Sequence, residues 1–162
     1  MNRFICVLCI ALFLPLTGCP GGLKVNYVEG VVKHDGVPLE GATVNFSPKT
    51  EGQGMLASGT TDANGVYKLT VLQGGAVGRG TVEGEYMVSV SKKTTDPIRM
   101  DPPPPAYAGS ANIPIYGYVF PRKYTNSNTS GLTATVKKGK NLNIDFELTG
   151  PGDVTLPPEK QK

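Results

Sequence analysis

The chain has 162 residues, including 21 glycines and 14 prolines, and a formal net charge of +3. A charge this close to balance excludes the strongly basic surface that nucleic-acid-binding proteins use, so we expect no nucleic-acid partner. So many glycines and prolines leave few stretches long enough for a helix, and the composition favours an all-β protein rich in turns.

The first 18 residues have the organisation of an export signal. Arg3 precedes an apolar run at residues 4–16, which is too short to span a bilayer, and small residues follow it. The ending Leu16-Thr17-Gly18-Cys19 resembles the lipobox of bacterial lipoproteins. That resemblance implies cleavage before Cys19, a diacylglycerol on its sulfur and an acyl chain such as palmitate on the new amino end. The alternatives are an ordinary secretory signal cut elsewhere and an uncleaved helix.

The anchor predicts where the protein is located. Two or three acyl chains make release from a membrane negligible, and Pro20 in place of Asp resembles the lipoproteins that are sorted to the outer membrane. Residues 19–24 are a short tether of at most about 20 Å, so we expect the folded domain to lie close to the membrane. Cleavage also removes Cys6 and Cys9, which leaves no intramolecular disulfide and no thiolate metal site, and we expect no metal or other cofactor.

Hydrophobic periodicity predicts one β-domain over residues 25–149. Apolar residues alternate with polar ones at 28–32 and again at 42–46, and the intervening turn at 34–38 predicts a hairpin with one buried face. Glycine-rich connections follow at 52–59 and 74–84. Between them, Asp62-Ala63-Asn64-Gly65 is typical of a turn that leads into a strand. The same run superficially resembles a calcium loop, but position twelve is Gln73 instead of the required Glu, so the turn is favoured.

The second half of the domain contains further strands and one long connection. Alternation at 86–90 predicts a central strand, and the patterns at 132–136 and 142–148 predict the last two, of which 142–148 alternates most regularly. Residues 93–129 are a Pro- and Tyr-rich insertion whose four prolines, 102–105, predict polyproline II. Residues 150–162 are predicted to be a disordered tail. About seven strands with one buried face each favour two packed antiparallel sheets.

Four segments of this pattern resemble a known family. They are Val28-x-Gly30-x-Val32, Gly36-Val37-Pro38-Leu39-x-Gly41-Ala42-x-Val44-x-Phe46, Thr61-Asp62-x-Asn64-Gly65-x-Tyr67 and Gly84-x-Tyr86-x-Val88-x-Val90. Together they resemble the carboxypeptidase regulatory-like domain, a transthyretin-like (prealbumin-like) β-sandwich. The closing segment, with Pro121-x-Lys123-Tyr124 and Asn141-x-Asn143-x-Asp145-Phe146-x-Leu148, is similar to small lipoproteins of planctomycete-type bacteria. The resemblance implies a fold and a generally non-catalytic domain, because its motifs are turns and core positions.

The residues do not favour catalysis. Transthyretin-like folds include hydroxyisourate hydrolase, whose chemistry uses several histidines and an arginine, whereas this chain has a single histidine, His34, in a predicted turn. The chain also ends in Glu-Lys-Gln-Lys instead of that enzyme's Tyr-Arg-Gly-Ser. Without a second base or a positioned nucleophile we expect no enzyme and no catalytic residue, and His34 is predicted to be a solvated turn residue.

Aromatic residues are concentrated in the insertion. Five of the chain's twelve Phe and Tyr residues lie between positions 107 and 124: Tyr107, Tyr116, Tyr118, Phe120 and Tyr124. If they are exposed, the tyrosines Tyr107, Tyr116, Tyr118 and Tyr124 are candidates for stacking on sugar rings or for a protein-binding surface. If they are buried, the segment instead folds over a sheet edge.

Two functions are compatible with these residues. The first is a non-enzymatic, lipid-anchored structural or interaction module of a bacterial cell envelope, with another envelope protein as its partner. The second is a carbohydrate- or peptidoglycan-binding module that uses the aromatic loop 107–124. Short basic clusters at Lys92-Lys93 and at Lys137-Lys138 with Lys140 are either solvated or close to anionic headgroups.

Overall fold

The computed structural model describes residues 24–73, 76–107 and 109–153. The predicted signal at 1–18, Cys19, most of the tether and residues 154–162 lie outside these ranges. The described residues form thirteen β-strands and two 3₁₀ helices, so the predicted all-β class is confirmed. Neither of those two helices, which have three and four residues, is long enough to cross a membrane.

The larger sheet has six strands joined by antiparallel pairs. Its members in chain order are β3 (Thr43–Pro48), β4 (Ala57–Thr60), β6 (Thr70–Gln73), β7 (Ala76–Arg79), β8 (Gly84–Ser91) and β11 (Leu132–Val136). The spatial order is β11-β8-β3-β4-β6-β7, so the predicted central position of residues 86–90 is confirmed. The prediction that 74–84 is only a connection is wrong, because β7 lies within it.

The second sheet is built around β1 (Tyr27–His34). Its other members are β2 (Val37–Pro38), β5 (Val66–Lys68), β12 (Lys140–Asn141) and β13 (Phe146–Leu148). β1 pairs antiparallel with β2 and β5 but parallel with β12 and β13. The predicted hairpin of residues 28–32 with 42–46 is therefore wrong, since the strand that follows the turn and pairs with β1 is the short β2, and β3 lies in the larger sheet.

Thr61 stabilises the crossing between the two sheets. Its hydroxyl accepts the Ala42 N–H at 2.8 Å and donates to the Leu39 carbonyl at 2.5 Å, while its own carbonyl accepts the Gly41 N–H at 2.9 Å. These bonds satisfy backbone groups that a continuing hairpin would have paired. Periodicity alone does not show such a change of sheet, because the inward-facing residues keep the same period on both sides of it.

The predicted continuous strand at 142–148 is interrupted, and only its last three residues form β13. Leu142 is 51% exposed, and Asn143 has a φ of 60°. The cause lies on the neighbouring strand, where a Cβ on Gly30 would lie 1.8 Å from the Ile144 carbonyl oxygen. The missing side chain of Gly30 makes room for this backbone, which bulges towards β1.

The two sheets pack face to face as a β-sandwich. Four aromatic rings lie between them with centroids 5.7–6.2 Å apart in four contacting pairs, and β1, β3, β6 and β8 supply aliphatic neighbours. The rings are Phe46, Tyr67, Tyr86 and Phe146. The Tyr67 hydroxyl donates to the Ile144 carbonyl at 2.7 Å. Burial, with a smaller contribution from Asp145, raises the pKa of Tyr67 far above its usual value.

The predicted turn at 62–65 is confirmed. The Asp62 carboxylate accepts the N–H groups of Asn64 and Val66, each at 2.9 Å, and Gly65 has a φ of +73°. Such an Asx turn uses the carboxylate as a cap for the backbone, as the sequence predicts.

The sandwich has two distinct ends. At the amino-terminal end, where β1 begins, Asn26 pairs with Thr81 and its side chain accepts the Gly139 N–H. At the distal end, where β1 finishes, the His34 ring lies 6.1 Å from Phe120 of the insertion. Tyr27 and His34 are seven residues apart along β1, so the two ends of this strand are separated by about 23 Å.

Candidate functional site: the distal insertion

The insertion at residues 93–129 is folded at the distal end. β9 (Arg99–Asp101) and β10 (Ile113–Ile115) form an antiparallel hairpin, and two 3₁₀ helices follow β9 and β10 at Pro105–Tyr107 and Arg122–Thr125. The last residue of the proline run, Pro105, begins the first of these helices instead of ending an extended stretch. The insertion therefore presents a defined surface.

The base of the insertion belongs to the core. Phe120 is fully buried, Tyr124 is 5% exposed, and their rings meet edge to face at 6.2 Å. Hydrogen bonding with the Thr149 side chain and backbone, together with nearby Lys123, lowers the pKa of Tyr124. A ring covered to this extent has no open face for a sugar, so Tyr124 is separated from the other tyrosines predicted to bind ligand.

Tyr116 and Tyr118 are half-buried, each with a cation over its ring. The Lys93 ammonium lies 5.9 Å from the Tyr116 centroid, and the Arg122 guanidinium lies 5.4 Å from that of Tyr118. Arg122 also pairs with Asp153 at 3.3 Å, and the Asp153 carbonyl accepts the Tyr118 N–H at 2.8 Å. These contacts hold both rings in place and leave part of each accessible.

The tip of the insertion exposes apolar side chains. Tyr107 is 67% exposed, Met100 is 52% exposed and Ile113 is 44% exposed. Val37 on β2, at the same end of the sandwich, is also exposed. Of the six large hydrophobic side chains exposed in the described ranges, four are thus at the distal end. Exposed aromatic and aliphatic groups of this kind are typical of surfaces that bind other proteins.

His34 is not the solvated turn residue that its sequence context predicts. It is the last residue of β1, and its Nε2 lies 2.8 Å from the Gly150 carbonyl oxygen and 3.4 Å from an Asp35 carboxylate oxygen. Gly150 also donates its N–H to that carboxylate at 3.2 Å. Residues 150–153, predicted as the start of a disordered tail, instead contact the fold, because Gly150 bonds to His34 and Asp35, and Asp153 bonds to the insertion. In the three described ranges, no group of three His, Cys, Asp or Glu side chains is arranged to bind a metal ion.

A second surface was not singled out by the sequence. A groove of about 540 Å³ crosses the outer face of the larger sheet, and Ser89, Asn45, Ser58 and Thr70 stand side by side across four strands. None of the residues that line it is charged. The sequence does indicate this groove through the polar residues that alternate with core residues in β3 and β8, because every second residue of such a strand faces away from the core.

No protein-family model, no curated protein and no solved structure matches this chain. The β-sandwich architecture rests on the described strands and their register. The carboxypeptidase regulatory-like assignment rests on the four sequence segments alone and stays a prediction.

Proposed function

We propose that this protein is a non-enzymatic, lipid-anchored β-sandwich of the transthyretin-like type. It is exported to a bacterial envelope, held at the outer membrane through Cys19, and serves as an interaction module. The signal-like residues 1–18 and the lipobox-like ending support the anchor. The four segments that resemble the carboxypeptidase regulatory-like domain support the fold type.

The position of the insertion carries this proposal. The described chain begins at Lys24 at the amino-terminal end, only five residues after Cys19, whereas the insertion lies at the other end of β1. A tether of at most about 20 Å holds the amino-terminal end close to the bilayer. The insertion then extends away from the membrane, where another envelope component can reach it.

The exposed groups of the insertion favour a protein partner. Met100 and Ile113 are on neighbouring strands of one hairpin, and Tyr107 follows β9 in the connection between them. Large side chains of this type bury much apolar area on binding, and aromatic residues are frequent among those that dominate binding energy. The ordered base, with Phe120 and Tyr124 in the core, reduces the entropy lost on binding.

Site-specific photo-cross-linking in intact cells tests this proposal. A photoreactive amino acid at Met100 or Tyr107 should yield discrete cross-linked protein species. The same group at Thr133, exposed on the outer face of the larger sheet, is the matched control and should yield few. Equal cross-linking at the three positions, or none at the hairpin, would contradict an interaction role for the insertion.

The exposure of Tyr107 favours a second candidate, binding of a polysaccharide or peptidoglycan. Tyr107 has an open ring, and the accessible part of Tyr116 adds a second aromatic group at the same end. Tyr107→Ala should then reduce cosedimentation with purified peptidoglycan, whereas Leu56→Ala, which removes an exposed side chain outside the insertion, should not. Equal binding by both variants would exclude this candidate.

A further inference from the structure

We propose that the turn formed by Lys137, Lys138, Gly139 and Lys140, the lysine turn, docks on the surface of an anionic lipid bilayer and orients the domain on its membrane. This inference deepens the proposed function and rests on the anchor at Cys19. It assigns a partner to the amino-terminal end of the sandwich, the end opposite the insertion.

The lysine turn is a defined structure. Asn141 closes it, since its side-chain oxygen accepts the Lys137 N–H at 2.8 Å and its amide group donates to the Lys137 carbonyl at 2.8 Å. Gly139 has a φ of +98°, a conformation that a glycine adopts without strain. The lysine side chains therefore extend from a fixed backbone.

The turn is attached to the part of the chain that leads to the anchor. The Gly139 N–H donates to the Asn26 side-chain oxygen at 2.7 Å, and Lys140 pairs with Tyr27 at the start of β1. Asn26 is seven residues after Cys19. The short tether thus keeps the three lysines close to the bilayer that holds Cys19. This proximity gives a high effective concentration, so that even a weak attraction leads to docking.

The charge around the turn favours an anionic surface. Lys137, Lys138 and Lys140 are exposed, and no ion pair in the described part of the chain involves them. Lys24 and Arg79 add exposed positive charge at the same end. Glu83, directly before β8, and Glu85, its second residue, add negative charge nearby, and Glu85 is paired with Lys49 at 3.0 Å.

The opposite end carries charges of both signs. The loops at 35–42 and 61–65 contribute Asp35, Glu40 and Asp62, whereas Lys92, Lys93 and Lys123 contribute positive charge at the base of the insertion. A negatively charged leaflet therefore attracts the end with the lysine turn, where basic residues are in excess, more strongly than the end with mixed charge. Docking of the lysine turn leaves the insertion on the side of the domain that faces away from the bilayer.

Vesicles of two compositions test the docking. The full-length gene is expressed in a bacterium that processes lipoproteins, and the purified protein is inserted into vesicles of phosphatidylcholine alone or mixed with phosphatidylglycerol. Brief labelling with an amine-reactive reagent, read by peptide mass spectrometry, reports the accessibility of each lysine. Labelling of the lysine turn should fall several-fold in the anionic vesicles and recover in high salt, because screening weakens exposed charges. Labelling of Lys33 and Lys123 should not change.

Two triple variants that remove the same charge at different places distinguish docking by the lysine turn from a general effect of net charge. Lys137→Gln, Lys138→Gln and Lys140→Gln together should lower the docking equilibrium about 100-fold, since each lysine near such a surface contributes about five-fold. Lys24, which all variants retain, reports the loss of protection. Lys33→Gln, Lys93→Gln and Lys123→Gln together remove the same charge elsewhere and should leave Lys24 protected. Equal thermal melting of the variants establishes that both remain folded.

The outcomes are distinguishable. Equal labelling in both vesicle types, with Cys19 lipidated, overturns the docking and leaves the anchor intact. If mass spectrometry finds Cys19 unlipidated, the proposed anchor is wrong. Docking is then measured by cosedimentation of the unlipidated protein with the same two vesicle types. Equal sedimentation with the neutral and the anionic vesicles overturns the docking. Protection of the lysine turn by inorganic phosphate without vesicles would identify a soluble-anion site and overturn the bilayer as the partner.

Discussion

Substitution of Gly30 by Ala is expected to destabilise the sandwich far more than the loss of a strand glycine normally does. The added Cβ would lie 1.8 Å from the Ile144 carbonyl oxygen and 2.4 Å from its carbonyl carbon. Both are backbone atoms, so the 142–145 bulge must retreat from β1 by about 1.5 Å before contact becomes ordinary.

Three hydrogen bonds join the bulge to the rest of the domain. They are Tyr67 hydroxyl to Ile144 carbonyl at 2.7 Å, Ile144 N–H to Glu29 carbonyl at 3.2 Å, and Val31 N–H to the Asp145 carboxylate at 2.8 Å. Each contributes about 1 kcal/mol, and a buried hydroxyl left without its acceptor adds a similar cost. The free energy of unfolding should fall by about 3–5 kcal/mol, or about 10–20 °C in Tm.

Gly36→Ala is the matched control. Gly36 has a φ of +81° but open space around its Cα, so alanine meets only the left-handed backbone penalty of about 1–2 kcal/mol. Urea denaturation and thermal melting of both variants measure the difference. If Gly30→Ala costs no more than Gly36→Ala, the close approach of the bulge to β1 is refuted.

The remaining predictions concern the core and the turn at 62–65. Phe146→Ala should cost about 3–5 kcal/mol because its ring packs against two other aromatic rings, and near-neutral thermal melting would mean that β13 is misplaced. Gly65→Val should cost at least about 2 kcal/mol, since its φ is +73° and a Cβ would lie 2.5 Å from the Val32 carbonyl oxygen; unchanged stability would show that this turn is different. Tyr67 stays neutral in the fold, whereas in the unfolded chain it ionises near its usual pKa of 10.0. Its contribution to the free energy of unfolding should therefore be complete below pH 10. Above that pH the contribution should be lost by about 1.4 kcal/mol per pH unit. Tyr67→Phe should cost about 1 kcal/mol at neutral pH and make urea denaturation above pH 10 less pH-dependent, and an unchanged slope would contradict the buried hydroxyl.

Where one face of a strand is buried, alternation predicted the core well. Val28 and Val32, and the alternating apolar residues of β8, are all buried as their period requires. The prediction that Leu142 belongs to the last strand was wrong because its place in the pattern falls in the bulge opposite Gly30. The space left by a glycine on another strand cannot be recognised in the local sequence. The predicted pairing of residues 28–32 with 42–46 was wrong for a related reason, since the pairing of strands depends on the whole fold.

The candidate site was predictable in location but not in exposure. The density of aromatic residues marked the insertion, yet the same residue type is buried at Tyr124 and open at Tyr107. Burial there depends on whether the chain returns to the sandwich, as it does at the 3₁₀ helix Arg122–Thr125. His34 likewise has partners at residues 120 and 150 that lie far from it in sequence.

Mass spectrometry of the amino-terminal peptide, purified from native membranes, tests whether Cys19 is the lipid anchor. We expect a mature chain that begins at Cys19 and carries a diacylglycerol on its sulfur and an acyl chain on its amino group. Cys19→Ser should instead leave an uncleaved precursor without lipid. A native chain cut at another residue, or one with a free Cys19 thiol, would contradict the proposed anchor.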